Sequence, residues 1–323
     1  LKSSIYHGLF GNTFLAIDEN APTKQYQITI ESKQKIDNLK MSGQVRLEHD
    51  LLTSLRHQNV IYCSEIFEDQ LNFYVICDFF SDITLSKTIT GLHRIPEDKL
   101  NYIFSQLVEV LYYLHSNGFA YGSIRPESVL INDKFDLALA DFTLIQSLTL
   151  PIPRDNYLIP PPEVLNGQCK STALSEVFAL GVLLYMVASR GSMPWEFHSD
   201  SELINLYQNF KILQPPSMSN SFFSLIQQML ELDPEKRITM LHLLQNASHL
   251  KSSRVKFQVQ PIDCHKDAIK KRRTSMKTIL GNPSDNYRKR GSENNPSIGN
   301  ISPSFSSTGK FARHRKSVIP KAN

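Results

Sequence analysis

Apolar positions alternate with a period of two through much of the first quarter of the chain and with a period near 3.6 through most of the next two quarters. β-type runs occupy Ser3 to Ala16, Gln25 to Glu31, Val60 to Glu68 and Asn72 to Asp78. One amphipathic stretch, Asn38 to Leu55, interrupts them and predicts a single helix against a small sheet. From Pro96 onward the pattern is helical. Leu100, Ile103, Phe104, Leu107, Leu111 and Leu114 recur at steps of three and four, one face of a long helix that ends before Gly118. Val177, Phe178, Leu180, Leu183, Leu184 and Tyr185 leave little polar surface, as in a helix buried all round. The apolar run from Val177 to Ala188 is too short to span a bilayer. Further helices are expected at Ser219 to Leu232 and Ile238 to Gln245. Strands first and helices later predict an α+β fold with two lobes, residues 1–79 and 80–249.

Charge adds a third segment to this picture. Residues 251–323 hold 17 Lys and Arg against four Asp and Glu, a net +13, whereas residues 1–250 hold 18 against 27, a net −9. The tail, 250–323, is rich in Ser, Asn, Gly and Pro and too poor in apolar residues to offset ordering entropy, so it is expected to be disordered. With 323 residues, 41% of them hydrophobic, the remainder is long enough for one large core or two lobes. Cys63, Cys77, Cys169 and Cys264 show no C-x-x-C spacing, which suits a reducing compartment and offers no zinc site. No signal peptide opens the chain, but it starts at Leu1 without a methionine, so a preceding segment stays open.

Candidate chemistry gathers in two loops: Ala120-Tyr121-Gly122-Ser123-Ile124-Arg125-Pro126-Glu127-Ser128-Val129-Leu130-Ile131, then Ala140-Asp141-Phe142-Thr143. Around them stand Gly8-Leu9-Phe10-Gly11, Glu48 ahead of His57-Gln58-Asn59-Val60, Leu114-His115-Ser116-Asn117-Gly118, Pro161-Pro162-Glu163, and Leu232-Asp233-Pro234-Glu235-Lys236-Arg237. Each motif alone is weak. Together they come in the order of a protein kinase domain, which the chain resembles over roughly residues 1 to 249. The resemblance implies a two-lobed kinase-like fold, with a small β-rich N-terminal lobe carrying one helix, a larger helical C-terminal lobe, and the basic tail beyond it.

It also implies roles. In the kinase signature H-R-D-L-x-x-x-N followed by D-F-G, the first Asp is the base, and the Asn and second Asp hold magnesium. Ser123 stands at the base, Ser128 at the Asn, Arg125 at the catalytic-loop Lys, and Gly122 at the Arg that answers a phosphorylated activation loop. Asp141 remains as the candidate metal ligand. Thr29, in Tyr26-Gln27-Ile28-Thr29-Ile30, takes the place of the phosphate-binding Lys, and Tyr6 that of the first glycine of the Gly-rich loop. Candidate nucleotide contacts are Gly8, Gly11, Thr29, Glu48, Cys77, Asp78 and Phe80, with Cys77 at the gatekeeper position before the hinge. Glu163 and Arg237 are the expected structural pair, and Glu176 stands where the central helix usually carries Asp. A neutral hydroxyl cannot replace the lysine, and a serine is not ionised near neutral pH; a general base alone is typically worth 10²–10⁴-fold. The resemblance is therefore to a pseudokinase that requires no cofactor, with ATP and Mg2+ as weak ligands.

Alternatives stay open at several positions. Asp141 either bonds its own loop or binds metal; Tyr6 either crowds a nucleotide or covers the sheet; Cys77 reads as a packed hydrophobe. Glu48 without its lysine is an uncompensated carboxylate if buried, unless another cation pairs it or its helix sits outward. Lys24 or Lys33 would replace the phosphate-binding lysine only if the register slipped. Prolines 151, 153, 160, 161 and 162 point to an activation segment held in one state. In the tail, Ser275 and Ser292 follow basic residues and Ser302 precedes Pro303, three phosphosite candidates. The leading reading is a scaffold or allosteric partner of another kinase. The alternatives are a weakly or atypically active Ser/Thr kinase and a basic-tail tether for an acidic partner. The same reading expects an intracellular, cytoplasmic protein with nuclear entry through the basic clusters, no specific nucleic acid and no transmembrane segment.

Overall fold

The period-two stretches pair into a five-stranded antiparallel sheet: β1 (Ser4–His7), β2 (Gly11–Ile17), β3 (Gln25–Ser32), β4 (Cys63–Glu68) and β5 (Asn72–Asp78), in the order β1-β2-β3-β5-β4. The computed structural model describes residues 1–250 except 2, 20, 92–94, 123, 170, 171, 210 and 217. Thr13, Thr29 and Val75 lie opposite one another across β2, β3 and β5. Strand alternation therefore puts Gln27, Thr29 and Glu31 on one face of β3.

The sheet carries two helices where one was expected: α1 (Lys33–Asn38) and α2 (Ser42–Ser54). The Ser32 hydroxyl accepts from the Lys35 amide and starts α1 directly after β3. Lys40 at φ 56° breaks the chain before α2, so the amphipathic stretch begins inside one helix and ends with another. A small apolar cluster, Phe10, Ile36 and Val45 with Met41 and Phe73, joins the β1–β2 hairpin to both helices.

The second lobe comprises α3 (Leu85–Thr90), α4 (Glu97–Ser116), β6 (Phe119–Ala120), β7 (Val129–Ile131), β8 (Leu137–Leu139), β9 (Gln146–Ser147), α5 (Pro162–Leu165), α6 (Thr172–Ala188), α7 (Asp200–Asn209), α8 (Asn220–Met229) and α9 (Met240–Leu250). Glu97 and Asp98 in the first turn of α4 complement its dipole. Its apolar face is fully buried at Ile103, Phe104, Leu107, Leu111 and Leu114. The main core runs without a break from Leu51, Leu52 and Leu55 of α2 and Val75 of β5, through α4, to α6, α8 and α9. Each such large side chain contributes about 1.5–3 kcal/mol of burial. Among the described residues no helix is long and apolar enough to cross a membrane.

Candidate functional site

The loop between β6 and β7 is shaped by backbone chemistry. Gly122 has φ +96°, and a Cβ built there would lie 1.9 Å from the Leu144 carbonyl oxygen, so only glycine fits without a backbone shift. Its amide donates to Glu176 Oε1 at 2.8 Å, while the other oxygen of that carboxylate meets His115 Nε2 at 2.5 Å. Glu176, buried in α6, thus fixes this loop to the end of α4. Ser128 spends its hydroxyl locally, donating to the Arg125 carbonyl at 2.9 Å and accepting from the Arg125 amide. Arg125 itself donates through Nη2 to the carbonyls of Asp155 and Asn156 at 3.2 and 3.0 Å. Ser123 lies outside the described residues, as do Ser275, Ser292, Ser302 and the tail they belong to.

β3 itself carries no lysine. Thr29 Oγ1 pairs with Thr13 Oγ1 at 2.9 Å. Lys33 reaches the other way, to Glu68 and the Asp69 carbonyl, and Lys24 stands exposed over the Tyr26 ring. Two residues along from Thr29, Glu31 meets His49 of α2 at 2.9 Å, a β3-to-α2 contact with the acid on the strand. Glu48, the residue before His49, is 6% exposed, and its Oε2 has no hydrogen-bond partner. Burial, then the charges of Glu31 and Asp141, push its carboxyl up to about 8; the Phe142 amide and the Thr143 hydroxyl ease it only in part. Gln44, one turn earlier, donates to the Ile145 carbonyl, so α2 sits inward against the segment after Asp141.

Asp141 is exposed, and its Oδ1 accepts from the Thr143 amide of its own turn at 3.1 Å. Phe142 is buried edge-on to Tyr121 with ring centres 5.3 Å apart. In the Gly-rich hairpin, a Cβ on Gly8 would lie 3.3 Å from Tyr6 Cε1, and one on Gly11 only 1.7 Å from the Ile30 carbonyl oxygen. Gly11 therefore serves close strand approach, and Phe10, 4% exposed, anchors the hairpin tip toward α1 and α2. Tyr6 stays 46% exposed, yet its hydroxyl is held above its ordinary pKa by burial and by the charges of Asp141 and Glu127. Cys77 is buried opposite Cys63; their thiol hydrogen bond, then burial, raises its pKa. Asp78 ends β5 with its amide donated to the Tyr62 carbonyl, the Phe79 amide goes to the Gln25 carbonyl, and Phe80 follows half-buried.

The activation segment is tied along its length. Arg154 pairs with Asp200 of α7, Tyr207 donates to the Pro160 carbonyl at 2.7 Å, and Thr172 to the Leu150 carbonyl. At its end, Glu163 receives both arms of Arg237 at 2.6 and 2.9 Å and the Ser175 hydroxyl at 3.0 Å. Arg237 also donates to the Glu231 and Leu174 carbonyls and lies over the Phe178 ring.

A magnesium nucleotide needs cations at its phosphates and oxygen ligands around its metal. Here the lysine position holds a hydroxyl bonded to Thr13, Arg125 is engaged by backbone carbonyls, Ser128 is spent on its own turn, and the buried Glu48 carboxyl keeps one oxygen without a hydrogen-bond partner. Among the described residues no group of three or more metal-ligating side chains converges. This donor set does not fit a magnesium nucleotide. Sequence reasoning missed the Glu31–His49 contact, the Gln44 and Arg154 ties and the Phe10 anchor. Only Glu31 on the Thr29 face left a signal, since the others depend on residues far apart in the chain.

Comparison with known proteins adds independent findings. The family model described as protein kinase domain matches residues 1–248. The chain is 29% identical over 232 residues to CBL-interacting protein kinase 33 of Oryza sativa subsp. japonica, covering 68% of this chain and 50% of that protein. It is 29% identical over 261 residues to the serine/threonine-protein kinase cds1 of Schizosaccharomyces pombe, covering 74% and 55%. It is 28% identical over 224 residues to the maternal embryonic leucine zipper kinase of Danio rerio, covering 67% and 32%. The chain spans about half the length of the first of these curated relatives.

Proposed function

The chain belongs to the protein kinase family, and we propose that it works by binding rather than by phosphoryl transfer, as a pseudokinase that scaffolds or allosterically engages another kinase. The observation that carries this reading is Glu48: a buried carboxylate with an unpartnered oxygen, opposite a strand that offers Thr29 in place of an ammonium. Phosphoryl transfer in this family depends on positioning and on neutralising phosphate charge. A cleft whose described residues bring carboxylates, and whose β3 strand brings no lysine, opposes both. The tied activation segment supports the same reading, since it presents a fixed surface without a phosphate to order it. One relative is named for the protein it interacts with, a precedent for partner binding in a kinase chain.

A second reading, a weakly or atypically active Ser/Thr kinase using ATP and Mg2+, is favoured by Asp141 and by the inward position of α2 against the Asp141 turn. Thermal unfolding of the whole chain with ATP, with and without magnesium, separates the two. Ligand at a hundred times its dissociation constant stabilises by about 2.7 kcal/mol. No shift at millimolar ATP is expected. A magnesium-dependent rise, together with phosphate transfer abolished by Asp141→Ala, would establish the second reading instead.

A further inference from the structure

We propose that Cys63 and Cys77 form a modification site: on meeting a hydroperoxide they join as a reversible disulfide between β4 and β5. The two cysteines are register partners in these antiparallel strands. The Asp78 amide donates to the Tyr62 carbonyl at 2.9 Å, so the pair sits at a position whose two residues exchange no main-chain hydrogen bond. Such partners share a face of the sheet, with Cα atoms about 4.5 Å apart. A disulfide spans Cα separations of about 4.4–6.8 Å, so rotation of the side chains is enough to close it. Beyond the pair the register slips to Glu65 and Ile76. The Ser64 hydroxyl fastens that bulge to the Ile76 carbonyl at 3.1 Å, and the Cys63 thiol donates to the Glu65 carbonyl at 3.7 Å. The Cys63 hydrogen is thus spent along its own strand, which leaves the sulfur lone pairs to its neighbour.

In the closed sheet the pair is protected. Cys63 and Cys77 are 2% and 4% exposed, and the hydrogen bond to Cys63, then burial, keeps Cys77 protonated. Access comes from β4, the edge strand, which is paired on one side only and opens locally without unfolding the sheet. One sulfur then attacks an oxygen of the peroxide, giving a sulfenic acid and one water. When β4 recloses, the second sulfur displaces that oxygen, which leaves as a second water, and the S–S bond forms. Two thiols and one hydrogen peroxide become one disulfide and two waters; the sulfurs lose two electrons and the O–O bond takes them. Cys169 has a different neighbour, the Ser175 hydroxyl at 3.3 Å. The new bond would tie β4 to β5 just before Asp78, in the core shared with Leu51, Leu52 and Leu55 of α2. It stands whether or not the chain transfers phosphate.

The test treats the whole, fully reduced chain with hydrogen peroxide under native conditions, removes the peroxide, and blocks the remaining thiols with N-ethylmaleimide in denaturant. Glu65 and Glu68 lie between the two cysteines, so a glutamate-specific protease separates them unless they are joined. Mass spectrometry is expected to find the Cys63 and Cys77 peptides linked, two hydrogens lighter than their sum, and released by dithiothreitol. Cys63→Ala and Cys77→Ala should each abolish that species. The oxidised protein should also melt at a higher temperature than the reduced one, because the bond closes the loop from 63 to 77. Complete blocking of both cysteines after peroxide would overturn the site. So would either one paired with Cys264 or with another chain, or a linked protein that melts lower than the reduced form, since the bond would then be forced on the fold.

Discussion

Replacing Glu163 with alanine tests whether the end of the activation segment is held by charge in a dry interior. The Glu163 and Arg237 side chains are 5% and 0% exposed and joined by two hydrogen bonds, 2.6 and 2.9 Å. Removing one partner of such a pair leaves the other charge buried and costs about 3–5 kcal/mol. Arg237 keeps the Glu231 and Leu174 carbonyls and the Phe178 ring, which favours the lower end, while Ser175 loses one of its partners, which opposes that. A domain of this size loses about 2–4 °C of Tm per kcal/mol, so Glu163→Ala should lower Tm by about 6–20 °C in circular dichroism melts. Arg237→Met should cost a similar amount. Glu163→Met with Arg237→Met should cost clearly less than the two single changes added, because the double change leaves no orphaned charge. A Tm within about 2 °C of wild type for Glu163→Ala would refute the reasoning, as would strictly additive single and double changes.

Glu48 gives a pH signature. Its carboxyl is raised from 4.5 to about 8 in the fold, so between those values the folded chain holds a proton that the unfolded chain has released. Stability therefore falls as pH rises from about 4.5 to 8 and levels off above. Glu48→Gln should remove that slope, so its advantage in denaturant melts should be small at pH 5 and largest near pH 8.5; parallel curves would contradict it. Gly122→Arg, which restores the residue type the family carries there, should destabilise by more than about 2 kcal/mol because of positive φ and the Leu144 carbonyl; an unchanged melt would show that the loop relaxes freely. Ser123→Asp alone should give no measurable transfer of phosphate to a protein substrate, because Thr29 and Ser128 are unchanged; robust labelling by that variant would be decisive against the proposed function.

Much of the architecture was legible because burial leaves a period. The six spaced apolar residues of α4 and the bounds of β5 could be read directly, since every second or every third-to-fourth position had to face a core. The amphipathic stretch from Asn38 stands for α2 alone, while the six-residue α1 before it is too short to show a period, and the break between them depends on Lys40 adopting a positive φ, which no hydrophobic pattern records. Strands of two or three residues such as β6 to β9, and the short helix α3, carry too few turns of pattern to be seen. Within the candidate site, residue types could be read off the kinase order, but contacts could not. Nothing local in the sequence couples Gly122 to Leu144, Gln44 to Ile145 or Arg125 to Asn156, because those partners meet only after the lobes close.

Gly122 also bears on the direction of descent. A kinase that had only exchanged acidic or basic side chains at this loop could regain them by single codon changes, each tolerated by an unchanged backbone. Here the Leu144 carbonyl occupies the space that any Cβ at 122 would need. An arginine at 122 would meet that carbonyl before it met any phosphate, so the single change carries a folding cost whatever it does for chemistry. A side chain at this position becomes accessible through coordinated change at 122 and 144, which ties the two positions together in any line of descent.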